Sequence, residues 1–323
     1  MDWELMAQQL VVAVRGKRSQ RALSKRLGFD SNVLYRWETG RSYPALEDFV
    51  RLVHAAGVDI EQRLLQFRPD WAVPRELGSR GGVTELLELL REGAAVSQLA
   101  TKSEHSRFVV RRWLDGQTAI RLPDFLHFVE VCSLRVLDFV ACLVEPERVP
   151  CIWASYRLLE ASRKAAFEQP WSHAVLRTLE LKAYAQLRRH RVGWIAKRLS
   201  IPLTTEEECV ALLLEAGQIS WDGEHYRVEQ VRTIDTRRAR QFSKRIKAFW
   251  FDVNRQRQQA QVPGLYAYNL CSVSKLDHER IVELYRRFHH DVQQIVAQSE
   301  PSEQVVLLTA QIVALDQPLG HGA

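Results

Sequence analysis

Asn32, Tyr35 and Arg36 fall within five residues of one another in the stretch SNVLYRWETGRSYP, Ser31 to Pro44. An Asn amide offers a donor and an acceptor that match an adenine edge, and an Arg fork matches guanine. Between them stand Val33, Leu34 and Trp37, residue types that favour burial. The alternation predicts a short helix anchored on one face and free to hydrogen-bond on the other. Bond-making chemistry has no comparable signal. The chain has no phosphate-cradling Gly loop, no His-Glu metal motif and no Gly-x-Ser-x-Gly elbow. His289 and His290 are adjacent, so on a helix they diverge by about 100° and make a poor metal pair. The expectation is a non-enzyme without metal or cofactor.

The flanking residues predict the elements that hold this face in place. Ser19 can cap a helix starting at Gln20, and Asp30 or Ser31 can cap the next. Leu23 and Leu27, like Val33 and Trp37, are spaced i, i+4, and Phe49, Leu52 and Val53 continue an apolar stripe. Gly28 and Gly40 close the two short helices, and Pro44 suits the first turn of a third. Two short helices joined by a few residues make a helix-turn-helix. The segment SQRALSKRLGFDSNVLYRWETGRSYPALEDFVRLVHAAGVDI resembles the phage-repressor (XRE-type) helix-turn-helix domains in its early Gln, its Leu-x-x-x-Leu-Gly, its Trp-Glu-x-Gly and its Pro. The resemblance implies a five-helix fold and sequence-specific binding of duplex DNA. It also implies that Gln20 contacts DNA at the groove edge. Ser31, Asn32, Tyr35 and Arg36 are the outward candidates for base contact, and Arg21, Arg41 and Tyr43 for phosphates.

The unit recurs. LYRWETGRSYPALEDFVRLV from Leu34 matches VRRWLDGQTAIRLPDFLHFV from Val110, with Trp37 on Trp113, Gly40 on Gly116 and Phe49 on Phe125. Upstream, Leu23 falls on Leu99 and Leu27 on Ser103. The second copy departs from the family pattern, with Val96 for the Gln, Glu104 for the Gly and Ile120 for the Pro. Its outward candidates are Arg107, Arg111 and Arg112, with Lys102 and His105 nearby; packing and a second DNA clamp are both open to it. The Pro- and Gly-rich FRPDWAVPRELGSRGG reads as a linker.

The remainder changes pattern. VGWIAKRLSIPLTTEEECVALLLEAG reads as helix, turn, helix, with Pro202 between them and Thr204 as a cap, and QISWDGEHYRV as an Asp-Gly hairpin. That is winged-helix-like. Its second helix opens on Glu206, Glu207 and Glu208, which would repel phosphates but suit a helix N-terminus, so a protein-contact or structural role is favoured over DNA reading. Arg232 to Arg257 then holds nine basic residues against two acidic ones, with one apolar helical face. A solvated helix packed on its neighbours is favoured there over an anion-binding surface. LYAYNLCSVS and QVVLLTAQIVAL read as strands around a helix, a small α/β unit in need of further strands. On WIAKRL, the Leu-rich helix before Gly217 and VVLLTAQIVALD, residues 153–316 resemble bacterial regulators in which a helix-turn-helix domain precedes an uncharacterised C-terminal domain. That resemblance implies gene regulation and no chemistry.

Charge and composition agree. The 323 residues carry a net +6. Arg15 to Arg41 alone holds eight basic and two acidic residues, a local excess equal to that of the whole chain and attractive to polyanions. The longest apolar runs are too short to span a bilayer, and the acidic start MDWELMAQQL lacks a secretion signal. The five Cys have no metal-site spacing and read as buried free thiols of a reducing cytoplasm. The predicted architecture is therefore mainly α: a helix-turn-helix domain (1–70), a linker (71–82), a second, degenerate copy (83–150), a winged-helix-like domain (151–232) and a C-terminal basic helix with strand-helix-strand (233–323) for dimerisation or sensing. The predicted function is a cytoplasmic bacterial transcriptional regulator binding double-stranded DNA, a homodimer responsive to a small molecule or peptide. The alternative is a non-catalytic scaffold or antitoxin-like partner.

Overall fold

The computed structural model describes residues 1–69, 71–74, 76–229 and 240–316. They form two compact units, one of residues 1–161 and one of the described residues from 162 onward. The first holds α1 (Trp3–Arg15), α2 (Gln20–Arg26), α3 (Val33–Glu38), α4 (Leu46–Ala55), α5 (Ile60–Phe67), α6 (Arg80–Arg91), α7 (Val96–Lys102), α8 (Arg107–Leu114), α9 (Leu122–Ser133), α10 (Val136–Leu143) and the start of α11 (Pro150–Glu168). Five helices are thus built twice. α2 and α7, like α5 and α10, coincide end for end at an offset of 76 residues, the offset predicted from Trp37 and Trp113.

Capping explains where these helices begin. Asp2, Ser19, Asn32 and Asp59 accept from backbone N–H groups at the starts of α1, α2, α3 and α5. The cap of α3 is therefore Asn32, one residue beyond the expected Ser31 and two beyond Asp30. Ser106 caps α8. In each copy a Trp closes the core beneath the second short helix: Trp37 and Trp113 are both buried. Phe29 meets Trp37 edge-on at 5.7 Å, and His105 meets Trp113 the same way at 4.8 Å.

The two copies pack on each other with paired contacts. Ala45 and Arg121 form an antiparallel bridge. Leu46 N donates to Ile120 O (2.9 Å), and Leu122 N donates to Pro44 O (3.0 Å). Each of these residues is the 76-offset mate of another in the set, so the pairing is isologous, as across a two-fold axis. Neither α4 nor α9 has a side-chain cap, and each copy satisfies an otherwise orphaned N–H of the other. α5 packs on α10, α1 on α9 and α4 on α6. Near this seam the buried Arg135 donates to Asp138 (3.2 Å) and to Phe67 O (3.0 Å), and lies over the Phe67 ring.

The second unit contains α12 (Trp171–Leu179), α13 (Lys182–Ala185), α14 (Trp194–Leu199), α15 (Leu203–Glu215), β1 (Ile219–Trp221), β2 (Tyr226–Val228), α16 (Arg240–Gln259) and α17 (Lys275–Ala297). Val175, Leu176, Ile195, Cys209, Leu213 and Ile219 form its core. The Asp-Gly hairpin is present, with Ile219 opposite Val228 and Trp221 opposite Tyr226. Asp222 accepts from the N–H groups of Glu224 and His225 and from Arg227, which together hold its carboxyl down at about 2. Glu206 is buried and accepts from the N–H groups of Gly193 and Ala196, so it caps α14 rather than facing outward beside the exposed Glu207 and Glu208. α15 starts at Leu203, which puts Thr204 inside the first turn instead of at the cap.

Two expectations are corrected. The segments before and after α17 carry no strand pairing. A ladder needs a facing backbone edge, and the three-residue strands of the hairpin pair only with each other. Leu265, Tyr268, Leu270, Val306 and Val313, which strand pairing would have covered, stand exposed. The thiols are free but not uniformly buried: Cys209 is buried, with burial pushing its pKa up to about 12, whereas Cys151 and Cys271 are exposed. Finally, α16 begins at Arg240, and its Trp250 packs edge-on against Trp171 at 5.3 Å, in keeping with a packed helix. Arg232, Arg237 and Arg238 of the predicted basic stretch lie outside the described residues.

Candidate nucleic-acid interface

α3 divides by face as the spacing predicts. Val33, Leu34 and Trp37 are buried, while Ser31, Asn32, Tyr35 and Arg36 are exposed. The polar set is therefore presented to solvent and not absorbed by the protein. Its members are not equally free. The Asn32 Oδ1 accepts from Tyr35 N and from Ser24 Oγ, both at 3.3 Å. That leaves the amide nitrogen as the group able to reach a base, unless the cap opens. Arg36 makes one long bond to Ser31 Oγ (3.4 Å) and projects from the exposed side. Arg41 is exposed and lies over the Tyr35 ring, 5.4 Å from its centre, so the two move as one cationic and aromatic pair.

Two predicted contacts are drawn inward. Glu38 is the hub of α1, α2 and α3, accepting from Arg15 Nε (2.5 Å) and from the Gln20 amide. Gln20 is therefore half-buried and spends its amide nitrogen inside the domain. Tyr43 donates to Glu4 (2.9 Å) and accepts from Gln8; burial, then the Glu4 carboxylate, raise its pKa. It is aligned with α1 rather than aimed outward. The local positive excess is likewise thinned by structural work. Arg18 and Arg26 donate to Ala56 O and Ala55 O at the end of α4, favourable partners for the negative end of a helix. Lys17, Arg21, Lys25, Arg36 and Arg41 remain on the exposed surface.

The second copy keeps the geometry that its sequence obscures. Glu104 takes φ +57°, the left-handed conformation of Gly28 at φ +84°, at the cost of roughly 1–2 kcal/mol that a Cβ incurs there. His105 fills the place of Phe29 against Trp113 and pairs with Asp124 at 3.3 Å. Burial raises the Asp124 pKa, and His105 opposes that rise. Burial lowers the Lys102 pKa. His105 therefore belongs to the packing, and Lys102 is half-buried. Arg107, Arg111 and Arg112 are exposed, with Arg111 loosely paired to Asp115 at 3.6 Å.

Phe108, on none of the predicted positions, is 68 % exposed on the same face, with Arg112 over its ring at 5.5 Å. The 76-residue offset places it on Asn32, a signal that was present in the sequence.

No group of His, Cys, Asp and Glu among the described residues is placed to hold a metal ion. No helix among them is long and apolar enough to cross a membrane.

Residues 12–65, from within α1 to α5, match the family model described as a helix-turn-helix domain, the class of domain that docks a short helix in the DNA major groove. Residues 154–315 match the model of a domain of unknown function, DUF4423, which covers half of the chain, and the protein belongs to that family. No curated protein and no solved structure matches the chain.

Proposed function

We propose that the protein is a transcriptional regulator that binds double-stranded DNA in a sequence-specific manner. α3 lies in the major groove, with Arg36 and the Asn32 amide toward base edges and Arg21 and Arg41 toward phosphates. The observation that carries this reading is the division of α3: its apolar residues are buried around Trp37, and its hydrogen-bonding residues are left exposed. The role is binding, not catalysis. The C-terminal unit has a core of its own, and we assign it the regulation of that binding through a small-molecule or peptide signal or self-association.

Salt tests the reading. Affinity of the purified chain for duplex DNA is expected to fall linearly in log–log form as salt rises, with a slope near −0.9 for each phosphate neutralised. A pure interaction scaffold would bind no duplex even at low salt.

A further inference from the structure

We propose that one chain is by itself a two-headed DNA reader. The second copy is a reading head in its own right, the two copies are related by an internal pseudo-two-fold, and the target is a pair of inverted half-sites of different sequence. The inference rests on the DNA-binding reading above and extends it to a second site, on α8.

Three observations support it. First, the two loops that lead from the reading helices to the seam are held by the same backbone bonds. Arg41 N and Ser42 N donate to Arg36 O, and Gln117 N and Thr118 N donate to Arg112 O. Gly40 and Gly116 both take positive φ, +72° and +68°, and each lies against the matching position of its first helix, Gln8 and Thr84. Second, both loops end at the reciprocal bridge of Ala45 with Arg121. Equivalent paths from a shared symmetric contact place α3 and α8 as symmetry mates. Glu38 to Ala45 spans at most about 25 Å when fully extended, as does Leu114 to Arg121. These chain lengths do not exclude the ~34–36 Å at which dimeric helix-turn-helix proteins enter successive turns of the groove. Third, α8 exposes a set that packing does not account for. A Phe left 68 % exposed beside Arg107, Arg111 and Arg112 suits a thymine methyl flanked by guanines.

The chemistry of the two faces differs. α3 offers an amide, a phenol and one Arg, whereas α8 offers three Arg and a Phe. The half-sites should then be inverted in arrangement but unlike in sequence, and the homodimer expected from the sequence is not required to supply two readers.

The test is hydroxyl-radical footprinting of the full chain on the tightest-binding duplex fragment recovered from its own genome, with the mass of the complex measured in parallel. The expected result is one chain per duplex and two protected patches centred about 10–10.5 base pairs apart. R36A should weaken protection of one patch and R112A of the other, each with roughly tenfold weaker binding. Both side chains are exposed, so thermal melts should be unchanged; F108A provides a second probe of the α8 patch that leaves the charge intact. A single patch insensitive to R112A and F108A would overturn the inference while leaving DNA binding by α3 standing. Two chains per duplex on matching half-sites would overturn it as well. Failure of the wild-type chain to bind any duplex would remove the underlying DNA-binding reading itself.

Discussion

Glu38 and Arg36 are two positions apart, yet they do opposite work. Glu38 collects Arg15 and Gln20 and fixes α3 to α1 and α2, whereas Arg36 is left exposed. The base reading proposed for Arg36 would depend on the rigidity that Glu38 provides, because a misaligned fork forfeits its bidentate match to guanine. His173 on α12 carries a different consequence. Burial, then the nearby Arg177, push its pKa down to about 4, below its unfolded value near 6.5. A depressed group contributes stability above the unfolded value and loses it as pH falls through the folded one. The second unit should therefore lose about 2–3 kcal/mol between pH 6.5 and pH 4. Denaturant melts across that range should show the loss, and H173Q should flatten it; an unchanged profile would mean that the imidazole does not titrate against the fold.

At the scale of elements, α3 and α8 are each a short rod whose position depends on a single indole. Trp37 and Trp113 are 3 % and 5 % exposed, and truncating a buried Trp costs about 3–5 kcal/mol. W113A should lower the denaturation midpoint of the first unit about as far as W37A does, since the copies share one seam; a much smaller effect would mean that the second copy is loosely held. Much at this scale was legible beforehand. The i, i+4 pairs, the Trp-x-x-Gly spacing and the 76-residue offset located both helix-turn-helix copies. What the pattern hid was how polar groups are spent. Asn32, Gln20 and Tyr43 have the composition of DNA contacts, but Asn32 caps α3 and the other two bond inward, and only a tertiary partner decides that. Glu104 looked like a lost glycine although its backbone keeps the turn. The strands expected around α17 failed for a physical reason: alternation marks a segment able to pair, and pairing requires an edge that the neighbouring elements do not supply.

For the molecule as a whole, charge and organisation act together. The basic excess of residues 15–41 is smaller in effect than its count, since Arg15, Arg18 and Arg26 are committed within the domain. In the proposed reading, steering toward DNA falls to the exposed Lys17, Arg21, Lys25, Arg36 and Arg41. Under the two-headed proposal, binding by one copy would raise the effective concentration of the other on the same duplex, so modest contacts at each would sum to specific binding. The DUF4423 unit has a core of its own. The most direct test of the central claim compares R36A and R41A on a cognate duplex and on random duplex. R36A should cost about 1–3 kcal/mol on the cognate duplex alone and relax selectivity at one base position, whereas R41A should weaken both duplexes alike. Equal losses on cognate and random duplex for the two variants would contradict base reading by α3.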